Sequence, residues 1–212
     1  MPAIAGGQSC ESCGSAESRL GPPSSTVTTQ QLADALVAGG FTGELPGGVN
    51  ASVLINDWYA ARIASEGNWR TLARILSDSG HACSSTLHAD ALAGSAPAGT
   101  VWRYFFDYTA KSDVLPGATH GGDESWLFRK SGATADEITL SKDMASWWAS
   151  LAAAGDPNGT PNAGAPAWTA YAPPAGDSMF MGEAHDPIPR LGSNPDTVRV
   201  ECEHWKQFMG FY

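Results

Sequence analysis

His120 is the residue of this chain best suited to moving a proton. It lies in Leu-Pro-Gly-Ala-Thr-His-Gly-Gly-Asp-Glu-Ser-Trp-Leu-Phe (115–128), a Gly-rich turn that follows the aromatic run Val101–Tyr108. An imidazole titrates near neutrality, so it can take a proton and return it within one reaction cycle. His81, His88, His185 and His204 lack such a setting and read as surface or satisfied residues. A second pattern, Cys10-x-x-Cys13, has the spacing of a metal or redox pair. A zinc site wants a further ligand pair at suitable spacing, and His81 with Cys83 does not make one. No metal and no cofactor are therefore expected. Cys10 and Cys13 stand as free thiols or as a small-loop pair.

The elements that must position His120 follow from periodicity. Val101–Tyr108 is rich in strand formers and apolar on both faces, as a doubly covered central strand requires. Residues 2–7 read as a short buried strand ending at Gly6-Gly7. Residues 9–26 are Ser-, Gly- and Pro-rich and read as loop. Thr28 or Thr29 caps a helix containing Leu32, Leu36 and Val37, stopped by Gly39-Gly40. Asn50 caps the next, through Leu54, Trp58 and Ala61. A third uses Trp69, Leu72 and Leu76, with Gly80 as its stop. The longest helix spans 134–154, with Met144, Trp147, Trp148 and Leu151 on one stripe, and Gly155-Asp156-Pro157-Asn158-Gly159 ends it. A loop (159–177) and a short strand, Ser178–Met181, follow. Asn194-Pro195 starts a final helix whose inner face is Val198, Cys202, Trp205 and Met209. Strands separated by helices argue an α/β fold with a mostly parallel sheet. The strands are few for the helices, which fits one half of a larger sheet.

The bulk properties narrow the partners. With 212 residues, 42% hydrophobic content and eight Trp, the chain can bury a sizeable core. A net charge of −10 excludes a nucleic-acid partner, since nothing would neutralise phosphates. No apolar stretch reaches the length of a membrane span, and the N-terminus lacks the basic and apolar regions of a signal peptide. Asn50 and Asn158 open Asn-x-Ser/Thr sequons and are candidate glycosylation sites. The four cysteines, Cys10, Cys13, Cys83 and Cys202, allow three full pairings.

Several segments together resemble the C-terminal part of the type-B carboxylesterase family, which includes cholinesterases and some fungal lipases. Gly-Ala-Thr-His120-Gly-Gly-Asp resembles the family's catalytic His motif. Met144–Asn158 is similar to the helix and Gly-Asp-Pro-Asn turn that follow it. Pro166-Ala-Trp168-Thr-Ala-Tyr171 resembles the Pro-x-Trp-x-x-Tyr segment beyond that. Met1–Ser12 resembles the strand and turn that carry the catalytic acid, with Gln8 for the usual Asn and Ser12 for the usual Gly. On that match Glu11 is the triad acid, 109 residues (120 − 11) before His120. Cys83 and Cys202 match a family disulfide that ties a helix before the His strand to the last helix.

The resemblance implies a fold, a chemistry and a gap. The fold is an incomplete α/β-hydrolase, with residues 1–212 as the C-terminal part of a single domain. The chemistry is carboxylic ester hydrolysis by a Ser-Glu-His mechanism, with His120 as base and Glu11 orienting it. In this fold the order is Ser, then acid, then His, and the nucleophile sits in Gly-x-Ser-x-Gly. Only ten residues precede Glu11, and no Gly-x-Ser-x-Gly occurs in the chain. The nucleophile and oxyanion hole are thus expected in an upstream N-terminal half, and the chain alone is expected to be inactive. The full-length protein is expected in the secretory pathway or outside the cell, acting on a small carboxylic ester. The alternative is a non-catalytic, cholinesterase-like adhesion module or an inactive fragment.

Overall fold

The structure is a computed structural model that describes residues 3–8, 19–44, 48–109, 118–128, 134–173, 176–184, 186–192 and 200–209. Its sheet is ordered β1-β2-β3-β4: β1 Ala3–Gln8, β2 Val101–Tyr108, β3 Ser178–Ala184 and β4 Arg190–Gly192. The first three are parallel, with Ala3 opposite Val101 and Tyr104 opposite Met179. β4 turns back antiparallel on β3.

β2 is covered on both faces, as its composition requires. Trp102, Phe106 and Tyr108 point into a core shared with Met144 and Trp147 of helix α6 (Ala135–Ala154). Val101 and Arg103 face the other way, towards helix α4 (Cys83–Ser95). Arg103 is only 2% exposed, so its charge needs partners. It donates to Thr86 Oγ1 at 2.7 Å and lies 5.7 Å from the Tyr171 ring centroid.

The Met144 stripe forms the inward face of α6, with Trp147 fully buried and Trp148 and Leu151 packed at its margin. A capping box starts this helix: Thr134 Oγ1 accepts from Glu137 N, and Glu137 Oε2 accepts from Thr134 N. Such a cap contributes about 1 kcal/mol. Gly155, left-handed at φ 73°, ends it.

A second core lies among α1 (Thr29–Ala38), α2 (Ala51–Val53), α3 (Ala60–Ser77) and α7 (Val200–Met209). Thr28 caps α1 with its own capping box, and Asn50 caps α2. Leu32 and Leu36 are buried, but Val37 is 51% exposed, because the helix turns it away from that core. Gly80 does not stop the third helix. The chain runs on through a π-turn, Asp78–Ala82, directly into α4. A glycine costs a helix about 1 kcal/mol, which buried anchors on either side of this turn offset. The break falls earlier, at Gly67, where φ is 80° and ψ 168°. β3 runs past Met181 to Ala184, through Gly182 at φ 79°. Val198 and the Asn194-Pro195 start of the last helix lie outside the described residues, while Cys202 and Trp205 are buried as expected.

The predicted disulfide is present. Cys83 and Cys202 join α4 to α7 with their Cα atoms 5.1 Å apart. Cys10 and Cys13 lie outside the described residues. Among the described residues no helix is long and apolar enough to cross a membrane.

Candidate active site

His120 is exposed at the apex of a tight turn beyond the carboxyl end of β2. Three attachments fix that turn. Ala118 is buried on its near side. Tyr104, on β2, donates its hydroxyl to Asp123 Oδ2 at 2.8 Å. On the far side Trp126, in the short helix α5 (Glu124–Leu127), is buried and meets Tyr108 edge-on, with ring centroids 5.1 Å apart. The glycines are required inside it. Gly121 sits at φ 72°, and a Cβ on Gly122 would lie 2.8 Å from the Thr119 carbonyl, whose oxygen accepts from Gly122 N. The Gly-Gly pair after His120 thus lets the chain fold back under the imidazole.

His81, which the sequence reads as a surface or satisfied residue, lies against His120. Its half-buried ring lies 4.8 Å from the His120 ring, centroid to centroid, at an interplanar angle of 43°. Burial, and then the charge of a protonated His120, hold the His81 pKa below the ordinary imidazole value. The π-turn presents it. That turn is held from below by buried Asp78, whose Oδ2 accepts from Tyr59 at 2.8 Å, while Tyr59 in turn accepts from Trp205 Nε1 at 2.7 Å. Nothing in local sequence spacing links residues 81 and 120; a clue lay only in His81 preceding the disulfide Cys83 by two positions.

The other candidates fall in different places. Glu11 and His185 lie outside the described residues. His88 is exposed on α4, and His204 stacks on Trp58, ring centroids 4.8 Å apart. Asn50 spends its Oδ1 on the α2 cap, accepting from Val53 N at 3.0 Å. Asn158 is more fully engaged. Its Nδ2 donates to Asp156 Oδ1 and to the Trp168 carbonyl, each at 2.9 Å, and its Oδ1 accepts from Trp168 N at 2.7 Å. Trp168 then donates Nε1 to the Arg103 carbonyl on β2 at 3.1 Å. The Gly-Asp-Pro-Asn turn and the Pro-x-Trp segment are therefore two halves of one clasp on the strand that leads to His120. No group of three or more His, Cys, Asp or Glu side chains is placed to hold a metal ion among the described residues.

Comparisons with known proteins bear on the family and the fold. A family model described as the carboxylesterase family matches residues 2–199. Over 83 residues the chain is 31% identical to acetylcholinesterase of Gallus gallus, a match covering 35% of this chain and 11% of the relative. Over 78 residues it is 38% identical to liver carboxylesterase 1 of Oryctolagus cuniculus, covering 34% of this chain and 13% of that protein. The crystal structure of Aspergillus niger EstA superposes with a TM-score of 0.77 at 14% identity. That superposition takes in 99% of this chain and 40% of EstA, so the shared fold is an α/β-hydrolase of which the chain spans under half.

Proposed function

The chain belongs to the carboxylesterase family, and on that premise we propose that it is the C-terminal part of one α/β-hydrolase domain that hydrolyses small carboxylic esters. His120 is the general base. The observation that carries this is its place: exposed, on a braced turn beyond the carboxyl end of β2. In open parallel sheets substrates bind beyond the carboxyl ends of the strands. Glu11 is the acid. It follows the last residue of β1, Gln8, by three positions, and β1 runs parallel to β2 with Gln8 opposite Phe106, which supports a meeting of the two residues at one end of the sheet.

The steps follow from these roles. A serine hydroxyl, supplied by a preceding segment of the same domain, attacks the ester carbonyl while His120 takes its proton. Backbone N–H groups of that segment hold the oxyanion. His120 returns the proton to the departing alcohol, then takes one from water to release the acid. Glu11 keeps the imidazole in the tautomer that can accept and stabilises the imidazolium. The Cys83–Cys202 bond and the resemblance to secreted esterases support a secretory-pathway location.

The assay is turnover of a short p-nitrophenyl ester. The 212-residue chain alone should give none. Co-expression with its N-terminal half should restore turnover, and His120→Ala should then remove it by a factor on the order of a million. Turnover by the chain alone that His120→Ala abolishes would refute an external nucleophile. A restored enzyme indifferent to His120→Ala would refute the role of His120.

A further inference from the structure

We propose that His81 is a positioning residue for His120: presented by the π-turn Asp78–Ala82, its ring packs against the His120 imidazole and limits the orientations from which that imidazole can accept a proton. This rests on His120 being the general base, as proposed above.

Two independent constructions converge on the contact. The His120 turn is braced from the β2 side by Tyr104, Ala118 and Trp126. Those contacts fix its backbone and leave the ring exposed. The His81 turn is braced from the other side by the line Trp205–Tyr59–Asp78 and by the disulfide one residue beyond it. A π-turn holds one residue more than an α-turn and so resets which side chain faces outward; such insertions gather at functional sites. Here the side chain so presented is the one at 4.8 Å from the His120 ring.

The chemical state of His81 suits the role. A base that becomes an imidazolium during the reaction cannot rest against a second cation. Burial and the charge of protonated His120 both favour neutral His81. It is therefore a flat, uncharged wall beside a ring that gains and loses charge. Its position at the base of a disulfide-tied turn makes that wall stiff, which lowers the freedom His120 must lose before reaction.

Side-chain NMR of the domain reconstituted with its N-terminal half tests this without catalysis. Histidine-labelled wild type should show His81–His120 ring contacts and a single His120 rotamer. His81→Ala should give an averaged rotamer, and His81→Phe, which keeps a flat ring, should restore one. In the reconstituted esterase, His81→Ala should lower kcat by about 10- to 100-fold with KM unchanged, and His81→Phe should recover most of it. An averaged His120 rotamer in wild type, or an unchanged one in His81→Ala, overturns the proposal. So does loss of kcat that Phe fails to rescue, since that points to proton transfer or general damage. Should His81→Ala not fold, the wild-type spectrum and His81→Phe still decide. If His120→Ala abolishes turnover while His81→Ala leaves kcat intact, only the positioning role fails. If His120→Ala leaves turnover intact, the esterase reading falls and the positioning role with it.

Discussion

Removing the Cys83–Cys202 bond should cost this protein a large share of its stability. The bond joins residues 119 apart in sequence. In the chain-entropy model, closing a loop of that length takes about 16 cal/mol/K from the unfolded chain, or about 4.9 kcal/mol at 25 °C. Domains are stable by about 5–15 kcal/mol, so the loss is a third or more of the whole. The perturbation is Cys83→Ala with Cys202→Ala, which leaves no lone thiol. Both half-cystines are buried, so the missing sulfurs leave a small void that adds to the loss. The assay is urea unfolding followed by Trp fluorescence, since Trp205 lies three residues from Cys202 and is fully buried. With an m-value of about 2.5 kcal/mol/M, the midpoint should fall by about 2 M. A fall under about 0.5 M at unchanged m would refute the reasoning. It would mean that the unfolded chain already holds α4 near α7.

Three further outcomes follow from contacts described above. Tyr59→Phe removes the hydroxyl between Trp205 Nε1 and Asp78 Oδ2 and takes one buried hydrogen bond from each; it should cost about 1–3 kcal/mol in the same urea assay, and a loss below about 0.5 kcal/mol would contradict the assigned network. Asp143 is buried and its pKa is raised by burial, against the opposing Asn162 hydrogen bond. Its folded pKa lies above the unfolded one, so the fold is penalised once pH rises past the unfolded value; Asp143→Asn should raise the melting temperature at pH 7, with the gain shrinking as pH falls towards 4, and a loss at pH 7 would sink the argument. Asn158 uses both amide hydrogens within the clasp, so in secreted material mass spectrometry should find any glycan at Asn50 and none at Asn158, and an occupied Asn158 would show that the clasp is not formed as described.

What was legible in the sequence is what local chemistry decides. The doubly apolar β2, the Met144–Leu151 stripe, the capping Thr28 and Asn50 and the Gly155 stop all report on neighbours within a turn or two, and each was found where expected. Gly80 misled because its helical conformation is set by contacts from afar. Asp78 is tied to Tyr59 nineteen positions back, and Cys83 to a residue 119 positions on. Val37 shows a related limit: a helix offers more apolar residues than its core face can take. Within the site, His120 was legible through its flanking glycines and the resemblance they carry. His81 was not, because a π-turn shifts the helical phase that periodicity arguments assume.

The register of β1 on β2 sets a clock for synthesis. Ala3 pairs with Val101, 98 residues later (101 − 3). At about 5–20 residues per second, β1 has left the ribosome's active centre some 5–20 s before its partner strand exists. During that interval the edge of β1 that β2 will cover is open to any other strand nearby. Its sequence, Ala-Ile-Ala-Gly-Gly-Gln, carries one β-branched residue and two glycines. Such a segment pairs weakly on its own and gains a strong neighbour when the aromatic, strand-prone β2 arrives. A change such as Gly6→Val, which makes β1 a better strand in isolation, should therefore lower the yield of correctly folded nascent chain.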